Sequence, residues 1–397
     1  LLTNKNFWNN MERVYLDNNA TTIVDPRVKS AMEPFFSQRY GNPNSLHRFG
    51  TELHPEMLTA MDRLYAGISA DDSDDIIVTG CATEGNNTVL KSFWLRSIQD
   101  DKPCRIVTSQ IEHPSVARTC DWLETRGCQV TRLPVNEQGL VTGDILRDFV
   151  KPGEADLVSI MWANNETGLI NPVKELCDTS HELGAFFHTD AVQAVGKVPV
   201  DLKYAGVDYL TFSAHKFHGP KGIGGLYIRA GSPVVPLLHG GEQMGGLRAG
   251  TVNVPYLVGM GLAMELAVES LPWINNELRK MRDRLEDSIS GIPDTIILGR
   301  RENRTPNTIL ASFRGIEGEA FIWDLNQNNI AASTGSACSS EDLEADPTLK
   351  AMNLGPELAH TAVRLSLSRF TTDDEIDHVI DVIQKTVNRL RKISSSY

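Results

Sequence analysis

The sequence predicts an α/β fold, a mostly parallel sheet covered by helices on both faces, followed by a smaller α+β region. Three observations carry this. The 397 residues exceed the roughly 250–300 at which a single core stops growing, so a large domain over 25–270 and a small one over 11–24 and 271–397 are expected. From about Pro26 to Arg229, segments with helical spacing alternate with short β-branched runs, the pattern of strands joined by crossover helices. After Pro255 the texture changes to longer helical stretches and scattered strands.

The elements follow in order. Val14-Tyr15-Leu16 reads as a strand that joins the small domain. The runs Asp75 to Thr79, Arg105 to Thr108, Leu157 to Met161 and Tyr209 to Ser213 are rich in Ile, Val, Leu and Thr and short enough for buried strands. Phe187 to Asp190 is a further strand that ends in a carboxylate. Gly240 to Thr251 holds too much glycine for a regular element and is expected as a loop. A long helical stretch through Leu278 to Leu285 follows, with a hinge near residue 270. Strands at Asp294 to Leu298, Thr308 to Arg314 and Thr361 to Ser368 come next, with a further segment at Ile330 to Ser336. An amphipathic helix over Asp373 to Ile393 precedes a frayed tail, Ser394 to Tyr397.

Composition excludes several classes. A formal charge of −13 argues against nucleic acid and anionic membrane as partners. No window approaches the ~20 apolar residues of a spanning helix; Tyr256 to Val268 comes nearest and contains Glu265. Leu1 to Asn10 lack a secretory pattern, and Met11 reads as a native start. The six cysteines include no C-x-x-C pair, so reduced thiols in a cytoplasmic compartment fit best. Cys104, Cys120, Cys128 and Cys177 fall in apolar patterns and are expected as small buried hydrophobes.

Chemistry-bearing residues fall at or just after the ends of the predicted strands, where open α/β sheets bind ligands. Thr79-Gly-Cys-Ala-Thr-Glu84 leads from a strand into a helix whose first N–H groups suit an anion; an N-cap is the alternative. Asp190 needs a cation, a protonated pyridine nitrogen or a structural arginine. Lys216, directly after the run Tyr209 to Ser213, is placed for a desolvated amine that condenses with an aldehyde cofactor. Lys221 competes but lies in a turn sequence. His113 suits stacking on a flat cofactor and proton transfer, or simply opens a helix. His188, Asp190, His215 and His218 lack zinc-ligand spacing, so no metal is expected. Arg364, a charge in an apolar strand, takes either a substrate carboxylate or an internal one. Ser333-Thr-Gly-Ser-Ala-Cys338-Ser339 puts a thiol on a run of small polar residues, where packing does not account for it.

Taken jointly, Tyr15 to Thr22, Gly41 to Ser45, Ala82-Thr-Glu84, Glu112-His113, Asn164 to Glu166, Asp190 to Gln193, Ser213 to Lys216, Arg248 to Thr251 and the Cys338 run resemble the cysteine desulfurases. These are NifS/IscS-type enzymes of the class V aminotransferases. The resemblance implies the pyridoxal-phosphate-dependent, aspartate-aminotransferase-like fold. It further implies a homodimer that converts L-cysteine to L-alanine, leaving sulfur as a persulfide on Cys338 for an iron–sulfur scaffold of the NifU/IscU type. By matching position, Lys216 would carry the pyridoxal phosphate and Asp190 would face its ring nitrogen. Asn165 and Gln193 would contact the ring oxygen, and His113 would stack on the ring. Ala82, Thr83, Ser213 and His215 would hold the phosphate, with Thr251 from the other subunit. Arg364, with Asn165 beside it, would hold the substrate. Cys81 and Gly85 depart from the usual glycine and serine. A selenocysteine lyase of the same fold, or a non-catalytic sulfur-relay or scaffold protein, is the alternative.

Overall fold

The computed structural model describes residues 13–334 and 347–394. The first strand, β1 (Val14–Tyr15), precedes the main sheet. That sheet is built from β2 (Asp75–Thr79), β3 (Arg105–Ser109), β4 (Gln129–Leu133), β5 (Leu157–Ser159), β6 (Phe186–Asp190), β7 (Tyr209–Ser213) and β8 (Gly224–Ile228). Its spatial order is β2-β8-β7-β6-β5-β3-β4, parallel except where β8 runs antiparallel to both neighbours. The mostly parallel α/β expectation holds, and β4 and β8 are the strands of this sheet that the sequence did not announce. Two glycines open β8. A Cβ on Gly224 would lie 2.5 Å from the Phe212 carbonyl oxygen and 2.9 Å from the Cys81 carbonyl carbon, so a side chain there would push β8 off the helix that begins beside Cys81.

Side chains of the sheet alternate between two cores. Ile76 and Val78 face one core with Val107, Val158, Phe187, Leu210 and Phe212, and helices His54–Gly67 and Val254–Trp273 cover it. Ile77 faces the other with Ile106, Leu157, Tyr209 and Leu226, under helices Ala82–Gln99 and Pro114–Glu124. Burial on both faces explains why these strands read as continuous apolar runs. Cys104, Cys120, Cys128 and Cys177 are buried, as expected.

The helix Val254–Trp273 continues through a π turn, Ile274–Leu278, into helix Arg279–Ser290. Pro272 lacks an N–H for the helical ladder, and the wider turn follows it directly. This stretch is long and apolar enough by length and composition to cross a membrane, contrary to the sequence expectation. It packs inside the protein instead, supplying Leu257, Met260, Ala263, Met264 and Ala267 to the first core.

A second sheet joins β9 (Thr295–Leu298), β10 (Thr308–Phe313), β12 (Ser333–Thr334) and β13 (Ala362–Ser366) in the order β12-β13-β10-β9. Just before β12, β11 (Ile330–Ala331) pairs in parallel with β1. Val14 and Leu16 thereby enter a core with Ile309, Phe313, Leu365 and the C-terminal helix Asp373–Ile393. That helix starts with a capping box in which Thr372 and Glu375 satisfy each other's backbone. Residues 17–25 then run back from this second core onto the turn that holds Lys216. Thr22 Oγ1 donates to the His215 carbonyl at 2.9 Å and Asp25 N to the His218 carbonyl at 3.0 Å.

Candidate active site

The carboxyl ends of β2, β3, β5, β6 and β7 share one rim, because β2 is antiparallel to a strand that is itself antiparallel to β7. A cavity of about 420 Å³ opens there. Of the residues singled out in the sequence, Ala82, Thr83, Ser213 and His215 line one part of it; His113, Asn165 and Asp190 line another, with Gln193, Lys216 and Arg364. Thr251 is exposed and is not among the lining residues of the single chain. Its loop is nevertheless tied to the site, since Arg248 pairs with Glu84 at 2.9 Å in the first turn of helix Ala82–Gln99. Cys338 lies outside the described residues.

Lys216 projects from the short turn after β7. Its Nζ donates to the carbonyl oxygens of Asn19 at 2.5 Å and Ala20 at 2.9 Å. Burial, reinforced by Arg364 and opposed by Asp190, Asp17 and Glu166, pushes this amine down to about 8. A fraction of it is therefore an unprotonated nucleophile near neutral pH. Lys221 is exposed, as its turn sequence suggested.

Asp190 is 5% exposed, and its donors are neutral: Asn86 Nδ2 at 2.7 Å and Val192 N at 3.0 Å. Among the described residues no arginine pairs with it. Asn86 also donates to Ser115 Oγ at 2.8 Å and accepts from Thr211. Ser115 Oγ lies 2.8 Å from His113 Nδ1, which also accepts from the Ser115 N–H. One amide thus fixes both Asp190 and His113. His113 caps helix Pro114–Glu124, the helix-opening role considered for it, and also lines the cavity. Desolvation holds its imidazole below the usual range, opposed by Asp190 and reinforced by Lys216.

At the start of helix Ala82–Gln99, Ser213 Oγ accepts from the Ala82 N–H at 2.9 Å. His215 Nδ1 lies 3.1 Å from Thr21 Oγ1, and burial pushes the imidazole down to about 4, so it stands neutral. The internal-carboxylate alternative for Arg364 is present: its guanidinium meets Glu166 at 2.6 Å and Asp17 at 3.0 Å. The two carboxylates hold the guanidinium at the cavity wall. The Asn165 amide donates to Glu166 at 2.6 Å.

Four residues were given no role from the sequence: Asn19, which lines the cavity, and Asn86, Glu112 and Lys197 beneath it. Asn19 donates to the Asn165 carbonyl at 3.0 Å and to Thr308 Oγ1 at 2.9 Å, while its own carbonyl takes Lys216 and Gln193. Glu112 is buried, accepts from Ser109 Oγ at 2.5 Å and Met161 N at 3.0 Å, and burial pushes it up to about 8. The signal available for Asn19 was its place in Asp17-Asn-Asn-Ala-Thr-Thr22.

The donor set suits an aldehyde cofactor with a phosphate and a basic ring nitrogen. It offers an amine with a lowered pKa, a buried carboxylate with neutral donors, and a helix N-terminus with Ser213 and Thr83.

Comparison with known proteins bears on the same residues. The family model described as aminotransferase class-V matches residues 14–379. A cysteine desulfurase from Gluconacetobacter diazotrophicus is 46% identical over 97% of this chain and 96% of its own length. The cysteine desulfurase NifS of Azotobacter vinelandii is 42% identical over 97% of this chain and 95% of its own. A solved NifS-like protein superposes with a TM-score of 0.88 at 38% identity, covering 96% of this chain and all of that one.

Proposed function

The chain belongs to the aminotransferase class-V family, and from that premise we propose that it is a cysteine desulfurase, converting L-cysteine to L-alanine and passing the sulfur to its own Cys338. The observation that carries the reading is the Lys216 amine, its pKa lowered to about 8 and seated in one cavity with Asp190 and the start of helix Ala82–Gln99.

Pyridoxal phosphate is the cofactor this cavity fits; when bound it supplies an aldehyde for the substrate amine and a ring that draws the electron pair from the Cα–H bond. Asp190 stabilises a protonated ring nitrogen by charge, and Asn86 keeps its carboxylate aimed. Ala82, Thr83, Ser213 and His215 take the phosphate, with Thr251 supplied by a second subunit. His113 would stack on the ring, and Asn165 and Gln193 would reach its oxygen. Arg364, fixed at the cavity wall by Asp17 and Glu166, supplies the positive charge that attracts the substrate carboxylate. The free Lys216 amine would take the Cα proton. The Cys338 thiolate attacks the substrate sulfur, the Cβ–S bond breaks, and the balance is L-cysteine plus Cys338-SH giving L-alanine plus Cys338-S-SH.

The persulfide sulfur goes to an iron–sulfur scaffold of the NifU/IscU type in the cytoplasm. A homodimer supplies Thr251 across its interface. Phe36, Tyr40, Leu46 and Phe49 support self-association, because they are exposed within one short stretch and Leu46 is 97% accessible. Sedimentation is expected to give twice 43.8 kDa, and Leu46→Asp is expected to weaken it. A monomeric parent refutes the dimer.

The deciding experiment adds pyridoxal phosphate and then L-cysteine to the protein, following the visible spectrum, alanine release and the mass of the Cys338 peptide. A yellow protein that makes alanine and gains one sulfur at Cys338 is expected. Lys216→Ala stays colourless, and Cys338→Ser stays yellow without persulfide. Turnover of L-selenocysteine alone would reverse the assignment.

A further inference from the structure

The turn after β6 carries a buried amine that none of these steps uses. Lys197 is 6% exposed, and its Nζ donates to Asn19 Oδ1 at 3.0 Å and to Gln193 Oε1. Among the described residues no carboxylate pairs with it, and burial, with Lys216 and Arg364 nearby, holds it well below the ordinary lysine range. A neutral amine has two N–H donors, and two acceptors meet them. Gly196, at φ +75°, lets the chain turn Lys197 inward; a Cβ there would lie 2.6 Å from Phe217 Cβ.

The partners of Gln193 define how its amide is turned. Nε2 faces the Asn19 backbone carbonyl at 3.0 Å, a group that only accepts, so Oε1 must face the Lys197 amine. Nε2 retains a second N–H, and Gln193 lines the main cavity. The same Asn19 carbonyl accepts from Lys216. Lys197 and Lys216 also share the wall of a second cavity of about 30 Å³ behind the first. A methionine would fill the same space without the cost of a buried polar group, so what lysine adds here is its N–H groups.

We propose that Lys197 is a positioning residue of the cofactor site: by holding the Gln193 oxygen and the Asn19 side chain, it turns a Gln193 N–H into the cavity and fixes the carbonyl on which the Lys216 amine rests. The inference rests on the reading of the cavity as a pyridoxal-phosphate site.

Pyridoxal phosphate titrated into the apoproteins of the parent, Lys197→Met, Gln193→Leu and the double variant tests it. Each single variant is expected to bind the cofactor about three- to ten-fold more weakly, the scale of one hydrogen bond, with the same displacement of the visible band. The double variant is expected to match the weaker single one. Lys197→Gln, which keeps an N–H donor, is expected to fall between Lys197→Met and the parent, a rescue that a packing defect would not give. Apoprotein melting temperatures reveal any variant that has lost its fold; should Lys197→Met be one, Lys197→Gln takes its place in the cycle. Parental affinity and spectrum in the Lys197 variant, or losses that multiply in the double variant, overturn the inference. A parent that takes up no cofactor overturns the functional reading instead.

Discussion

Lys216 and Glu112 titrate in the range where this protein would be handled, for one shared reason: each is buried more deeply than its charge tolerates. For Lys216 the amine is protonated and inert below about 8 and nucleophilic above it. Labelling of the apoprotein by an amine-directed acylating reagent, read at the Lys216 peptide, should therefore rise through that pH. Arg364→Gln should move the midpoint upward, because it removes a cation and leaves Asp17 and Glu166 in place. For Glu112 the folded value lies above the unfolded one. Its contribution to stability is complete below the unfolded value, near 4.5, and is lost as pH rises through about 8. Urea unfolding at pH 5 and pH 8.5 should show Glu112→Gln losing less stability over that interval than the parent. An equal loss in both would show that Glu112 is already charged in the folded state.

At the scale of elements, the helix Pro26–Met32 begins at Asp25, whose carboxylate accepts from the Arg27 N–H at 2.9 Å and pairs with Arg27 and Arg369, each at 2.7 Å. The Arg27 hydrogen bond holds Asp25 well below the usual carboxylate range, against the opposing effect of burial. That stabilisation is present above the unfolded pKa and is lost as pH falls through the folded one. Asp25→Ala removes a cap and leaves the buried Arg369 without its carboxylate, at a cost of about 2–4 kcal/mol in urea unfolding. The strands were legible because burial on both faces demands unbroken Ile, Val and Leu, as in Asp75-Ile-Ile-Val-Thr79. β8 was not, because its opening glycines answer to the backbone at Cys81 rather than to any strand preference. The length of the apolar stretch from Val254 was underestimated, and its inward packing identifies it as a core helix where hydropathy alone would not.

Across the whole molecule, the cavity wall was legible and its support was not. Lys216, Asp190 and the start of helix Ala82–Gln99 announce themselves by standing at strand ends. Asn86 finds Asp190 across 104 positions, and Lys197 finds Asn19 across 178, and no local pattern encodes such partners. Asn19 is where these distant contacts converge. Asn19→Ala deletes the side-chain bonds to Lys197, Asn307, Thr308 and the Asn165 carbonyl. It should cost about 2–4 kcal/mol of stability, read as a lower melting temperature of the apoprotein, together with weaker cofactor uptake.

Residues 17–25 lie between the Lys216 turn and the second sheet, with the Asn18 amide on the Ser366 carbonyl at 2.8 Å and the Asn19 N–H on Ser366 Oγ at 2.9 Å. During synthesis the lysine therefore leaves the ribosome some 150 residues before the strand that braces its floor. A chain stopped before Ser366 contains nearly every group that touches the cavity and still lacks the brace that brings them to one place.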